Sequence, residues 1–360
     1  MKKKVVLAMS GGVDSSVAAA LLVEQGYDVI GLFMRNWEEE DGGGHCTAEA
    51  DYDDVKNVCN LLNIPYYTVN YAKQYKDKVF KYFLEEYAKG RTPNPDVLCN
   101  REIKFGPFLT QAYALGADYI ATGHYCGIVR KNGFTYLTKA ADKDKDQTYF
   151  LNQLSQTQLK DVMFPLENMV KNEVRAIAEK YGLSTAKKKD STGICFIGER
   201  NFREFLSNYF PNHKGDIVTI DGKVVGEHIG LMYYTIGQRR GLGLGGEKEN
   251  QNRWFVVEKD MTNNRLIVSH GDESVLDSKA LFATEINWIP KVSEESEFEC
   301  FAKFRYRQEE QKVKVKLEET GDKAYVEFDT LQRAVTEGQY VVFYNETDCL
   351  GGGVIDKVFK

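Results

Sequence analysis

From residue 4 the chain runs through a β-branched stretch, KVVLAM, then a Ser-Gly-Gly turn, then the apolar stretch VDSSVAAALLVEQG closed by Gly26, and out into a second β-rich run, YDVIGLFM. Two apolar strands joined by a helix make a βαβ unit, whose strands must run parallel and be covered on both faces. The pattern continues in kind. EADYDDVKNVCNLLN places Val55, Val58, Cys59 and Leu62 on one helical face, and IPYYTVNY follows as a third strand. KVFKYFLEEYAKG and FGPFLTQAYALGA read as helices, DYIATGHY as a strand and NEVRAIAEKYGL as a further helix. Strands alternating with helices predict an open α/β domain built on a parallel sheet, over residues 1–205.

Beyond Gly215 the texture changes to short strands with glycine or Asn-Asn punctuation: GDIVTIDGKVVGEH, RWFVVEKDMTNNRLIVSH, FECFAKFRYR, QKVKVKLEE, AYVEFD and QYVVFYN. Such spacing predicts small β domains, here residues 206–278 and 279–360, divided near Leu276 to Leu281. A chain of 360 residues is too long for one ordinary core, which agrees with three units.

The start MKKKVVLAMSGG imitates a secretion signal, but its apolar run falls short of the ~7–15 residues such a signal needs. No stretch approaches the ~20 apolar residues of a membrane span, so a cytoplasmic protein without a membrane partner is expected. The seven cysteines are an odd number and include no C-x-x-C pair. That argues for reduced thiols, against a disulfide framework, and against zinc or an iron–sulfur cluster. The pairs His45-Cys46 and His124-x-Cys126 lack a third ligand, so no metal site is expected. A net charge of −6 gives no broad basic footprint, and any nucleic acid must be held by local patches.

The strongest local motif is SGGVDSS, residues 10–16, placed between the first strand and the first helix. Two glycines let the backbone turn tightly, and the free amides of the helix start favour a phosphate there. The string lacks the lysine of a G-x-x-x-x-G-K-[ST] loop. It resembles the PP-loop of ATP pyrophosphatases, which cleave ATP between the α and β phosphates and turn a substrate oxygen into an adenylate. A second glycine string, GLGLGG at residues 241–246, matches G-x-G-x-x-G but follows QRR in the β-rich part and opens no helix. It reads as a glycine loop carrying Arg239 and Arg240 rather than a dinucleotide site.

Two cysteines stand out. Cys99 follows Asn94, a candidate N-cap, and Pro95, a favourable first helical residue, and lies three residues after Asp96 on one helical face. Cys195 sits in KKKDSTGICFIG, behind a lysine run that favours thiolate. Each alone reads first as a buried apolar filler, as do Cys59 and Cys300. Lys187 to Lys189 are read as a solvated face, with an RNA contact or thiolate tuning as alternatives.

MSGGVDSS, TPNPDVLCNREIKF, ATGHY, KDKDQTYFL, DSTGICFIGERNFREFL and YTIGQRRGLGLGG, in this order, together resemble the tRNA-specific 2-thiouridylase (MnmA) family of the PP-loop superfamily. The resemblance implies an adenine nucleotide alpha hydrolase-like α/β domain followed by two small mainly β domains, the last a β-barrel. It implies adenylation of the C2 oxygen of the wobble uridine in tRNAs for lysine, glutamate and glutamine, then sulfur transfer giving 2-thiouridine, AMP and diphosphate. ATP, with Mg2+ as its counter-ion, is held by Ala8, Met9, Ser10, Gly11, Gly12, Val13, Asp14 and Ser15, with Met34 and Gly123 enclosing the nucleotide.

By the same resemblance Cys195 carries the persulfide and Cys99 is the second catalytic thiol, the two closing a transient disulfide. Asp96 is the general acid or base, and Asn94, Pro95 and Asp96 contact a target base that must leave its stack. His124, Lys145, Asp146, Gln147, Tyr306, Arg307 and Gln339 touch tRNA. The sulfur donor is a cysteine desulfurase or a persulfide carrier protein. Two other readings compete: a PP-loop synthetase or amidotransferase, which has no use for paired distant thiols, and a tRNA-binding protein that uses ATP only as a switch.

Overall fold

The computed structural model describes residues 2–38, 47–190, 202–245, 253–290 and 295–360. In its first part, strand β1 (Lys4–Met9), helix α1 (Val13–Glu24), strand β2 (Asp28–Arg35), helix α2 (Thr47–Leu62) and strand β3 (Tyr66–Asn70) alternate as the sequence predicts. A helical segment then runs from α3 (Ala72–Tyr75) through a π-helical turn at Lys76–Phe80 into α4 (Lys81–Ala88). Next come α5 (Pro95–Cys99), a second π-helical turn at Asn100–Lys104, α6 (Pro107–Ala114) and β4 (Tyr119–Ala121). After a hairpin, β5 (Gly127–Lys131) and β6 (Phe134–Thr138), the chain returns through α7 (Gln156–Leu159), β7 (Val162–Met163) and α8 (Lys171–Lys180).

The sheet is parallel, in the order β3-β2-β1-β4-β7. Alternation along β1 shows both faces covered: Val5, Leu7 and Met9 pack with α1, α2 and α8, while Val6 and Ala8 pack with α4, α5 and α6. Cys59 is fully buried on the first of these faces, as an apolar filler would be. Strand order reverses beside β1, where the chain has gone outward to β2 and β3 and later returns to β4 on the other side. Open parallel sheets bind ligands at the carboxyl ends of the strands flanking such a reversal. Here that is the gap between the turn after β1 and the turn after β4.

After α9 (Phe202–Ser207), strands β8 (Gly215–Thr219), β9 (Val224–His228), β10 (Trp254–Asp260) and β11 (Arg265–His270) form a small sheet in the order β10-β11-β8-β9. The remaining strands are β12 (Asp277–Trp288), β13 (Glu297–Lys303), β14 (Gln311–Leu317), β15 (Ala324–Arg333), β16 (Tyr340–Tyr344) and β17 (Asp348–Phe359). They pair in the order β12-β15-β14-β13-β16-β17, and β17 pairs back onto β12, closing a six-stranded barrel. Cys300, on β13, packs at the edge of its core.

Two features differ from the sequence reading. The two longest of the described strands, β12 and β17, are not among the stretches read as strands, and β17 runs through Gly351, Gly352 and Gly353. They are glycine because a Cβ there would strike the Asn287 carbonyl, the Val341 carbonyl or Ile286, so only bare backbone lets β17 lie between its neighbours. The β5–β6 hairpin, within the first 205 residues, joins the barrel sheet through β6 and β17.

The barrel is also bonded to the α/β domain by buried polar groups. Gln153 Nε2 donates to the Gly352 carbonyl at 2.6 Å, Asn287 Nδ2 to the Asn152 and Leu154 carbonyls at 2.9 and 3.0 Å, and the Tyr149 hydroxyl to the Tyr340 carbonyl at 3.0 Å. Each places a donor on a main-chain carbonyl across the junction, and separating the two units would break all four bonds.

Candidate active site

The turn after β1 is held by its own hydroxyls. The Ser10 amide donates to Ser15 Oγ at 3.2 Å, and the two serine hydroxyls lie 3.1 Å apart. Ser15 Oγ and Ser16 Oγ both donate to the Gly12 carbonyl, at 3.1 and 2.8 Å. No side chain caps α1, so its first-turn amides remain turned toward the reversal in the sheet. Gly11 has φ +73° and a Cβ on it would sit 2.5 Å from the Asp51 carbonyl oxygen, which leaves glycine as the residue that fits. Gly123, in the turn after β4, lies so close that a Cβ would be 2.8 Å from the Ser15 amide. The two turns are thus in contact, with Met34 half-buried near the end of β2. Beside β2 a cleft of about 480 Å³ opens among Phe33, Arg35, Glu49, Tyr52, Asp53 and Thr68.

Asp14 is gripped from two distant segments. Lys171 Nζ lies 2.7 and 2.9 Å from its two oxygens, and the Tyr125 hydroxyl donates to it at 2.8 Å. Lys188 Nζ donates to the Gly11 carbonyl at 3.0 Å and pairs with Asp51 and Asp54 at 2.7 and 2.6 Å. This corrects the reading of the lysine run as a solvated face. Lys187 and Lys189 are exposed, but Lys188 turns inward because two carboxylates on α2 and a loop carbonyl converge on it. Nothing near Tyr125, Lys171 or Lys188 in sequence announces these partnerships.

The second part of the site is α5. Asn94 caps it, accepting from the Asp96 amide at 3.2 Å, and Pro95 occupies the first turn. Cys99 is 1% exposed at its end, where the backbone widens into the π-helical turn Asn100–Lys104. Such turns occur often at functional sites. Gln158 Nε2 takes up the Arg101 and Phe105 carbonyls at 2.9 and 2.7 Å, and Asn100 Nδ2 donates to the Phe150 carbonyl at 3.1 Å. On the entry side Gln339 Nε2 donates to the Thr92 and Pro93 carbonyls at 2.8 and 3.3 Å, and the Thr92 amide to the Glu337 carbonyl at 3.0 Å. The barrel therefore braces the loop that carries Asn94, Pro95 and Asp96.

Burial pushes the Asp96 carboxyl above its ordinary range, with Lys104 opposing. Burial, then Lys104, holds His124 well below the usual imidazole value, so it stays neutral, 2.6 Å from Thr122 Oγ1 through Nδ1. Folding thus shifts the Asp96 equilibrium toward protonation. The associated stability is full below the unfolded carboxyl's pKa and lost as pH rises through the folded one. Asp96→Asn should therefore raise the melting temperature near pH 7.5, by on the order of 2 °C, with the gain shrinking toward pH 4. Thermal melts of both proteins across that range check it, and a gain that grows toward pH 4 would contradict it.

The residues expected at tRNA fall in two groups. Lys145, Asp146 and Gln147 lie beside Tyr306: the Tyr306 hydroxyl is 3.4 Å from the Lys145 carbonyl, and its ring centroid lies 4.4 Å from that of Phe150, tilted by 46°. Asp146 is buried, bonded to the Ala140 amide and to Thr148, and Gln147 exchanges bonds with the Tyr125 backbone at 2.9 and 2.8 Å. Arg307 is exposed, at a cleft of about 440 Å³ that also includes Arg305, Gln308 and Arg333. Gln339 and His124 belong instead to the surroundings of α5. Cys195 lies outside the described residues, as do His45, Cys46 and Gly246. In the glycine loop Arg239 pairs with Glu273 at 2.6 Å, and Arg240 is exposed. Among the described residues no three His, Cys, Asp or Glu side chains are placed to hold a metal. None of the described helices is long and apolar enough to cross a membrane.

Residues 3–199 match a family model described as the tRNA methyl transferase HUP domain, residues 203–270 the tRNA methyl transferase PRC-barrel domain, and residues 278–355 the aminomethyltransferase beta-barrel domain. A curated relative from Streptococcus thermophilus, named tRNA-specific 2-thiouridylase MnmA, is 59% identical over 100% of this chain and 96% of its own. One of the same name from Enterococcus faecalis is 58% identical with the same coverage. Among solved structures, a 4-thiouridine synthetase in complex with RNA and ATP is 17% identical, with a TM-score of 0.36 over 57% of this chain and 49% of that one, a likeness too slight to carry an inference.

Proposed function

Because this chain belongs to the tRNA-specific 2-thiouridylase MnmA family, the tRNA-uridine 2-sulfurtransferases, we propose that it thiolates the wobble uridine of tRNAs for lysine, glutamate and glutamine by way of an adenylate. The C2 oxygen of the uracil attacks the α-phosphorus of ATP, diphosphate leaves, and C2 acquires AMP as its leaving group. The terminal sulfur of a persulfide on Cys195 adds to C2 and AMP departs. The Cys99 thiolate then attacks Cys195 Sγ and breaks the S–S bond. Sulfur stays on C2, and a Cys99–Cys195 disulfide forms that a cellular thiol reopens. That cycle suits a reducing cytoplasm, with a cysteine desulfurase or persulfide carrier reloading Cys195.

The observation that carries this reading is the turn after β4, which serves both halves of the site. Gly123 closes against the Ser15 amide, and the next residue, His124, shares the field of Lys104 with Asp96, three residues before Cys99. The loop residues from Ala8 to Ser15, with Met34 and Gly123, hold the nucleotide. Mg2+ accompanying ATP suits the hard oxygen donors of Asp14 and would offset phosphate charge. Asp96, whose carboxyl is pushed above its ordinary range by burial, serves as general acid or base toward the uracil or its leaving oxygen, while Asn94 and Pro95 border the extruded base. Lys145, Asp146, Gln147, Tyr306, Arg307, His124 and Gln339 are the tRNA-facing set. Arg307 and Lys145 supply charge and Tyr306 an aromatic face, whereas Asp146 and Gln339 act by fixing backbone. Residues 1–205, 206–278 and 279–360 are the three units in which this work is divided.

Incubating the protein with ATP, Mg2+ and a persulfide source should release AMP only when tRNA is added, with labelled sulfur entering the RNA. AMP release indifferent to tRNA would contradict the reading.

A further inference from the structure

Asp190 accepts three cationic donors at once. Lys145 Nζ lies at 2.8 Å, Lys171 Nζ at 2.9 Å and Arg175 Nη2 at 2.8 Å. Lys171 is the same lysine that grips Asp14 in the nucleotide loop, and it is only 12% exposed. Arg175 also donates to the Ala186 and Lys188 carbonyls at 2.9 and 3.1 Å, and Lys188 donates to the Gly11 carbonyl at 3.0 Å. The carboxylate thus reaches the nucleotide loop by two routes, one through side chains to Asp14 and one through backbone to Gly11. From the other side it is held by Lys145, whose carbonyl lies 3.4 Å from the Tyr306 hydroxyl of the barrel. Burial works against the charge on Asp190, but the hydrogen bonds from Lys145 and Lys171 prevail and hold its carboxyl down at about 2. The junction therefore stays ionised throughout the working range.

We propose that Asp190 is a positioning residue that couples tRNA engagement at Lys145 to the nucleotide loop through Lys171. The inference rests on reading Lys145 as an RNA contact. Lys145 holds Oδ2 while Lys171 and Arg175 share Oδ1, so three cations divide the attraction of one negative charge. A tRNA phosphate that draws Lys145 away leaves Asp190 with two cations and a larger share of Lys171. Lys171 then leans off Asp14, and the Asp14 carboxylate is released toward the triphosphate and its divalent cation. By linkage, nucleotide binding that engages Asp14 loosens Lys145 for RNA by the same factor. A purely structural ion cluster would stabilise the fold without making either ligand sense the other.

The test is a titration of full-length protein with α,β-methylene ATP, which cannot be cleaved at the reacting bond, with and without tRNA. In the wild type, tRNA should tighten analogue binding by about fivefold or more. In Asp190→Asn the ratio should fall to near one, and Asp190→Glu should restore most of it. Lys171→Met cuts the same route from the other side and should lose the ratio too, so the coupling is tested even if Asp190→Asn folds poorly. A wild-type ratio in Asp190→Asn or in Lys171→Met overturns the coupling. Lys145→Met that binds tRNA as tightly as wild type, with an unchanged salt dependence, overturns the RNA contact instead.

Discussion

Cys195→Ser is expected to abolish 2-thiouridine formation while tRNA-dependent AMP release continues. A serine hydroxyl cannot accept sulfane sulfur as a persulfide, so the loss should be on the order of 10³-fold or more, the scale on which removing a nucleophile acts. Adenylation is untouched because it belongs to another part of the chain. The nucleotide turn is built by Ser10, Gly11, Gly12, Ser15 and Ser16 bonded among themselves, and Asp14 is held by Lys171 and Tyr125, with no thiol among them. Without sulfur, the adenylated tRNA is attacked by water and AMP accumulates with the base unmodified. Residual thiolation near the wild-type rate would remove Cys195 from the mechanism.

The reciprocal result is expected at the loop. Ser10→Ala or Asp14→Ala should cut AMP formation in the presence of tRNA by about 10²–10³-fold, the range seen when a preorganised polar group is removed from a reacting centre. Ser10→Ala removes one of the two hydroxyls that set the turn, 3.1 Å from Ser15 Oγ. Asp14→Ala has a second consequence: Lys171, 12% exposed, loses its partner in the loop and keeps Asp190, so the turn loses this ionic tie to α8. Because the proposed tRNA contacts lie on other segments and Ser10 makes no bond to Lys171, tRNA affinity should hold in Ser10→Ala, whereas Asp14→Ala frees Lys171 for Asp190 and should tighten tRNA binding. Filter binding alongside AMP measurement checks this, and unchanged AMP release would show that the loop does not hold the nucleotide.

The parts of the site that lie along one short segment were legible in the sequence. The Ser-Gly-Gly turn could be placed because the strand before it and the helix after it carry their own periodicity. Asn94 and Pro95 announce the start of α5 by local chemistry, and Asn94 does accept from the Asp96 amide. What was not legible comes from distance. Tyr125 and Lys171 meet Asp14 across 111 and 157 positions, and Gln339 reaches the Thr92 carbonyl across 247. No local pattern marks a residue whose partner is set only by the finished topology.

The π-helical turn behind Cys99 was invisible for a related reason. Its displaced carbonyls are taken up by Gln158, more than fifty residues away. Other misses were avoidable. Asn132 and Gly133, at φ 54° and 79°, are the Asn-Gly pair of a two-residue hairpin turn, and that signal stood between two β-rich runs. In β17 three glycines, a composition that usually breaks a strand, are what allow one to pass between β12, β16 and Asn152.

The central claim is that this site replaces oxygen by sulfur at C2 of a wobble uridine through an adenylate. The most direct measurement is mass spectrometry of nucleosides from the anticodon of tRNA for lysine, glutamate or glutamine, after incubation with the protein, ATP, Mg2+ and a persulfide source. The predicted result is 2-thiouridine, with sulfur exchanged for oxygen at the wobble position and AMP formed in equal amount. An unmodified wobble uridine, or a nucleoside heavier by a methyl group, would contradict it.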